Sequence, residues 1–409
     1  SGIGSYTSTD VVIPETYNGM TVIGIGNYAF ADCRNITSVE IPDTVTYIGE
    51  YAFRYCGGLT SVRLPANLTS INNGTFSNCY SLKEITIPDG VTSIGGYAFV
   101  LCSDLKSINI PDSVTSIGNN AFAYCAGLES VVIPENVTDI LYSTFYACTG
   151  LKSVTIPEGV TSIESYAFVG CESLKSITIP ASVTYIDSYA FIYCSGLESI
   201  SVNPASNSFI AVDNCLINPS YRGLVLGCKN SIIPDDGSVT TIGQGAFAGC
   251  TGLTAINIPN TIDYINDGAF DGCTGLTSIR IPANVWNIGS GVFAGCIGLE
   301  RIEVDTGNRR YYSVDNCLIE SYSKTLVAVC KNSIIPDDGS IRRIGNQAFA
   351  DFTIMSGINI PNGVTHIESE AFLNCTNLSN IVLPDSIISI GSNAFYGTAY
   401  YENKDNWED

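Results

Sequence analysis

The sequence is short of the residues that carry most enzyme chemistry. Its 409 residues hold one histidine, His366, two tryptophans and two methionines. One histidine excludes a two-histidine zinc motif of the H-E-x-x-H kind and leaves any histidine-dependent triad a single candidate. Lys and Arg are scarce as well, 18 against 39 Asp and Glu, for a formal charge of −21. Such a surface repels nucleic acid and anionic lipid. Charged residues make up only 14% of the chain and apolar ones 45%, which is too apolar for disorder. No apolar run approaches the roughly 18 residues of a membrane span. The chain opens Ser1-Gly2-Ile3-Gly4 without a secretory leader and stops in a polar stretch at Asp409, as a piece of a longer, processed protein would.

What is present is repetition. Phe30, Phe53, Phe76, Phe99, Phe122, Phe145, Phe168 and Phe191 follow one another at intervals of 23. Phe247, Phe270 and Phe293 keep the same step, and so do Phe349, Phe372 and Phe395, for fourteen units in all. The unit reads I-P-x-x-V-T-x-I-G-x-x-A-F-x-x-C-x-x-L-x-S-I-x-I-P. A period of this size with an L-x-x-L-x-L core predicts a leucine-rich-repeat solenoid, in which each unit buries its apolar faces only against its neighbours.

Alternation gives the local structure. In Leu174-Lys-Ser-Ile177-Thr-Ile179-Pro180, Ile177 and Ile179 share one face while Ser176 and Thr178 share the other, the pattern of a half-buried strand. Pro180 lacks an amide donor and ends the ladder. Val183-Thr-Tyr-Ile186 predicts a second short extended stretch. Tyr189-Ala190-Phe191 and Cys194 have the spacing of one helical turn. Gly49, Gly95 and Gly118 stand where the chain must turn. The fold expected is a right-handed solenoid rod with a parallel β-sheet, short second strands and helical turns.

Two stretches break the rhythm and match each other at an offset of 102. Val212-Asp-Asn-Cys-Leu-Ile217 recurs as Val314-Asp-Asn-Cys-Leu-Ile319, and the segment Cys228–Ser238 recurs as Cys330–Ser340. Two apolar runs, Cys215-Leu-Ile and Gly223-Leu-Val-Leu, flank the polar Asn-Pro-Ser-Tyr-Arg, so each insert is expected to project as a β-hairpin. One solenoid is expected over 1–409: repeats over 1–201, an insert over 202–232, repeats over 233–303, an insert over 304–334, repeats over 335–398 and a polar tail over 399–409.

The repeat unit and its V-D-N-C-L-I insert resemble the BspA-like, Treponema-type leucine-rich repeats, over about residues 20–400. That resemblance implies a secreted or surface-attached protein of a host-associated bacterium, with an adhesin-like role. It carries no residue-level binding motif across, because the shared residues are those of the repeat core.

Of the 16 cysteines, twelve sit three residues after a repeat Phe, from Cys33 to Cys375. Stacked in parallel, their Cβ atoms are too far apart and wrongly aimed for disulfides, so this ladder is expected to be buried free thiol. The insert pairs Cys215/Cys228 and Cys317/Cys330 leave the choice between thiol and disulfide open. Without a C-x-x-C and with one His, no metal site is expected. His366 aligns with Ser93 and other variable residues, so it belongs on the solvent side. Asp235-Asp236-Gly237 and Asp337-Asp338-Gly339 lack calcium-loop spacing and suit turns. No cofactor is called for.

The reading is therefore a non-enzymatic extracellular or cell-surface module, monomeric, that binds a protein or glycan of the host or of another microbe; a structural spacer is the alternative. Outward strand positions such as Glu40, Thr86 and Thr178 offer few interface anchors. Aromatics offer more. Tyr51, Tyr97, Tyr166 and Tyr189 lie two residues before a repeat Phe, and Phe209, Tyr221, Tyr311, Tyr312 and Tyr322 lie in the inserts. These nine are the candidate contact residues.

Overall fold

The computed structural model describes residues 9–403. The chain divides into two compact units, residues 1–209 and 210–409.

In the first unit every turn of the solenoid has three sides. The first side is the predicted strand. Asp10–Val12, Ser38–Glu40, Ser61–Arg63 and Glu84–Ile85 pair in parallel with a one-unit step, Val39 opposite Val11 and Val62 opposite Val39. The Ser-Val-x pattern places Val39 inside and Glu40 outside. The second side is the shorter stretch: Ser93–Ile94 lies between Ser70–Ile71 and Ser116–Ile117, again parallel and in register. After Asp10–Val12, Thr16–Tyr17 and Met20–Thr21 form a small hairpin across Asn18-Gly19, both at positive φ, as Asn-Gly hairpin turns require.

The third side corrects an expectation. Where one helical turn was predicted, the chain makes consecutive tight turns instead; among the described residues the only α-helix is Ala399–Glu402. Successive amides alternate in target. Tyr51, Phe53 and Tyr55 donate to carbonyls of the next unit at 2.9 Å, while Arg54 and Cys56 donate back to Tyr51 and Phe53 at 3.1 and 3.2 Å. A helix would direct all of them inward along its own axis. The alternation requires left-handed residues on both sides of the Phe. The residue two after the Phe has positive φ in all fourteen units, and the residue two before it in thirteen, Tyr189 being the exception. A spacing of three between Phe and Cys fits either geometry, which is why spacing alone misleads here.

Inside, the Phe rings of this unit stack with centroids 5.1–5.7 Å apart. Beside them runs the thiol ladder. All sixteen cysteines are free. From Cys56 to Cys194 each Sγ donates to the Phe carbonyl of the preceding unit, at 3.1–3.4 Å. Glycines after the second strand also have a sharper reason than turning: a Cβ on Gly118 would collide with the backbone of Gly95 and Gly96 one unit back.

In the second unit the inserts do not project. Ile210–Val212 pairs antiparallel with Cys215–Asn218, which pairs antiparallel with Gly223–Leu226. That last strand then turns parallel and leads the second-side ladder, followed by Thr241–Ile242, Tyr264–Ile265 and Asn287–Ile288. The other insert repeats this with Tyr311–Val314, Cys317–Glu320, Thr325–Ala328, Arg343–Ile344, His366–Ile367 and Ser389–Ile390. Cys215, Leu216, Ile217 and Leu224 are fully buried, as are Cys317, Leu318, Ile319 and Leu326. The physical reason is the run of consecutive apolar residues: a strand buried on both faces has no solvent side to project. The expected polar tail begins instead as a helical turn, capped by Thr398, whose hydroxyl accepts from the Tyr401 amide at 3.0 Å. Residues 404–409 of that tail lie outside the described residues.

Candidate functional site

The second insert opens a shallow groove of about 530 Å³ where the second-side ladder is interrupted. Asn287–Ile288 ends one sheet, and the next sheet enters through Thr325–Ala328. In place of a neighbouring strand, the phenol of Tyr311 accepts from the Ile288 amide at 2.9 Å. The Tyr311 ring is otherwise buried, and burial pushes its hydroxyl pKa up. This is a structural use of a residue expected to contact a partner.

Around that plug stand chemically useful groups. The Arg310 guanidinium lies over the Trp286 ring, 5.0 Å from its centroid. Its Nε is 3.6 Å from Glu320 Oε1, within ion-pair range, and finds no hydrogen-bond partner. Glu320 is held from its other oxygen, which accepts from the amide and hydroxyl of Ser323 at 2.7 and 2.5 Å. Burial pushes the Glu320 pKa up, but the hydrogen bonds from Ser323 and the Tyr322 amide, together with the Arg310 charge, outweigh it and the net shift is downward. Glu320 is therefore a fixed carboxylate, and it holds Arg310 against the ring. Trp286 remains 54% exposed and Tyr322 79% exposed. Groups like these are the ones that dominate binding surfaces: large, amphipathic and already ordered.

Charge is also unusual here. Residues 301–343 contain seven of the chain's eighteen Lys and Arg, against six Asp and Glu. On a chain of net charge −21 this segment is a local exception.

The other candidates divide. Phe209 is buried at 3% exposure, so it offers a partner no surface. Tyr312 is half-buried against the core. Tyr221 is exposed, and its ring lies over Gly223, where any Cβ would collide with it. Tyr51 stacks on Tyr28 at 5.3 Å and covers Gly74 in the same manner. Tyr166 stacks on Tyr189 at 5.5 Å and meets the edge of Tyr142 at 5.6 Å. Tyr124, Tyr142, Tyr146 and Tyr166 border a second shallow groove of about 340 Å³ in the first unit. Tyr97 is exposed. Trp286 and Arg310 were not singled out from sequence. Trp286 had a signal, since it takes a place held by Thr in Thr46, Thr69, Thr92, Thr115, Thr138, Thr161 and Thr184.

The acidic turns resolve as structure. Asp236 and Asp338 accept from the amides of Ser238 and Ser340 at 2.8 and 2.9 Å. Among the described residues no group of three or more His, Cys, Asp or Glu could hold a metal ion. His366 is half-buried, its ring nitrogen 2.8 Å from the Thr365 hydroxyl. No described helix is long and apolar enough to cross a membrane.

The family model described as the BspA type leucine rich repeat region matches residues 6–129, 115–218, 225–325 and 329–403. Among solved structures, a leucine rich cell surface protein of Faecalibacterium prausnitzii is 29% identical, with a TM-score of 0.54, over 100% of this chain and 91% of that one. A leucine-rich repeat protein of Bacteroides ovatus is also 29% identical, with a TM-score of 0.46, over 100% of this chain and 92% of its own. The leucine rich repeat protein of T. pallidum is 33% identical over 41% of this chain and 78% of that one, with a TM-score of 0.38. No curated protein matches.

Proposed function

We propose that this chain, which belongs to the BspA-type leucine-rich-repeat family, is an extracellular or cell-surface binding module, adhesin-like, that recognises a host or microbial macromolecule. Leucine-rich-repeat solenoids are typically non-catalytic scaffolds, and their family setting here is that of bacterial surface proteins. The observation that carries the proposal is the groove of Trp286, Arg310 and Tyr322, two exposed rings and a guanidinium fixed in place by Glu320.

The test is a solid-phase panel of matrix proteins, mucins and glycans, probed with the full chain and with Trp286→Ala/Tyr322→Ala. A ligand whose affinity falls about tenfold or more in the double variant supports the groove as the site. Equal binding by both proteins moves the site elsewhere. No binding to any member of the panel favours a structural spacer.

A further inference from the structure

Resting on that reading, we infer that the Trp286–Arg310–Tyr322 groove takes an acidic saccharide, a sugar ring bearing a carboxylate or sulfate. The rings offer flat, electron-rich faces, against which the C–H face of a pyranose packs favourably. Polar groups suited to sugar hydroxyls line the same groove: the amide of Asn287, the hydroxyls of Ser323 and Thr325, and the carboxylate of Glu320. A few placed polar groups beside aromatic surface are what orient a small ring in a site.

The acidic group follows from charge. Arg310 borders the groove, and exposed Arg309 is its chain neighbour. Arg310 lies opposite the end of the strand that leads to Tyr322, with its carbonyl accepting from the Ser321 amide at 2.8 Å. Residues 301–343 carry seven Lys and Arg against six Asp and Glu on a chain of net charge −21, so an anionic ligand meets less repulsion there than the chain average imposes. A guanidinium suits a carboxylate or sulfate because its donors form a planar fork.

A peptide fits less well. Strand addition would need the Ile288 amide, which Tyr311 already occupies. A helix would need a long apolar trough, and half of the ten lining residues here are Asn, Arg, Glu, Ser or Thr.

Trp286 and Trp407 are the two tryptophans, so Trp407→Phe leaves Trp286 as the sole reporter of the groove. The full chain with that substitution is titrated with four probes: a sialylated trisaccharide, a hexuronic-acid tetrasaccharide, a sulfated disaccharide and uncharged lactose. A parallel arm titrates an acidic peptide of similar size. The expected result is saturable quenching by at least one acidic saccharide, about tenfold tighter than lactose. Which acidic probe quenches separates carboxylate from sulfate sources. In an Arg310→Gln variant the preference for the acidic probe should fall to about twofold, while Arg310→Lys, which keeps the charge but loses the planar fork and the stack on Trp286, should restore only part of it. Trp286→Ala should abolish binding of the same probe measured calorimetrically. Equal affinity for lactose, or acidic binding that survives Trp286→Ala, overturns the inference. Quenching by the peptide alone also overturns it while the binding-module reading stands. If none of the probes quenches and the panel above finds no ligand at all, both fail together.

Discussion

In the first insert Ile210 pairs with Ile217 and Val212 with Cys215; in the second Tyr312 pairs with Ile319 and Val314 with Cys317. Each closes through an Asp-Asn turn at positive φ, Asp213-Asn214 and Asp315-Asn316. Each is tied down by a basic side chain on a glycine carbonyl, Arg222 on Gly237 and Lys324 on Gly339. The buried Cys-Leu-Ile run is the same in both. What differs is the set of residues at the groove. Where the second copy has Arg310, Glu320, Tyr322, Ser323 and Thr325, the first has Ser208, Asn218, Ser220, Tyr221 and Gly223. In the first copy Tyr221 folds over Gly223; in the second neither partner of that contact remains. A shared core fixes the backbone, and the surface is then free to diverge between one copy and the next.

The largest effect should test whether both inserts are core elements. Leu224→Ala and Leu326→Ala each empty a fully buried site and should cost about 2–5 kcal/mol. Urea unfolding of the two variants checks this. A loss below about 1 kcal/mol in one copy would mark that insert as peripheral and end the equivalence.

Next comes the one buried position where the copies differ by a single oxygen, Phe209 against Tyr311. Tyr311→Phe leaves the Ile288 amide without its acceptor and should cost about 1–3 kcal/mol. Hydrogen exchange at Ile288 should accelerate in the same variant. Unchanged exchange would show that the phenol holds nothing there.

A third test asks for sameness. Burial pushes the thiols of Cys215 and Cys317 up to about 12 from an ordinary 9.0. With the folded pKa above the unfolded one, the unfolded chain loses its proton first as pH rises. The stability from each neutral thiol is therefore complete below pH 9 and is lost between about 9 and 12. The slope is about 1.4 kcal/mol per pH unit for each thiol. Cys215→Ala and Cys317→Ala should flatten the alkaline decline in unfolding free energy equally. A flattening in only one variant would mean that one insert thiol is solvated.

Much of this was legible in the sequence. The Phe period located fourteen turns but not those the two inserts add to the ladder, and the Ser-Ile-x-Ile alternation located first-side strands. The ladder position of the cysteines implied free thiols, and they are free. The turn side was not legible from spacing. Its signal is the recurrence of Gly, Asn and Asp two residues after the Phe, as in Gly170, Gly249, Asn78 and Asp351. Tyr55, Leu101, Tyr124 and Ala147 share that position and hide it, because inter-unit hydrogen bonds force them into a backbone state that L-residues resist. The groove was half legible. Tyr322 announced itself as an insert aromatic, but Trp286 and Arg310 come from different segments, and only the backtracking of the insert brings them together.

The smallest expected effect is the most discriminating. Tyr221→Ser/Gly223→Thr gives the first copy the surface residues that the second carries as Ser323 and Thr325. Tyr221 is exposed, and the ring that excludes a Cβ at Gly223 leaves with it, so the new Thr side chain has room. Thr also suits a strand better than Gly, so stability should move by no more than about 1 kcal/mol, measured by thermal melting. Ligand binding by the whole chain should not change either. Clearing Tyr221 supplies neither a ring in place of Thr184 nor a guanidinium in place of Ser208. Were the opened copy to gain a second binding equivalent in calorimetry, open space would be the determinant. Trp286 and Arg310 would then be bystanders of the groove they border.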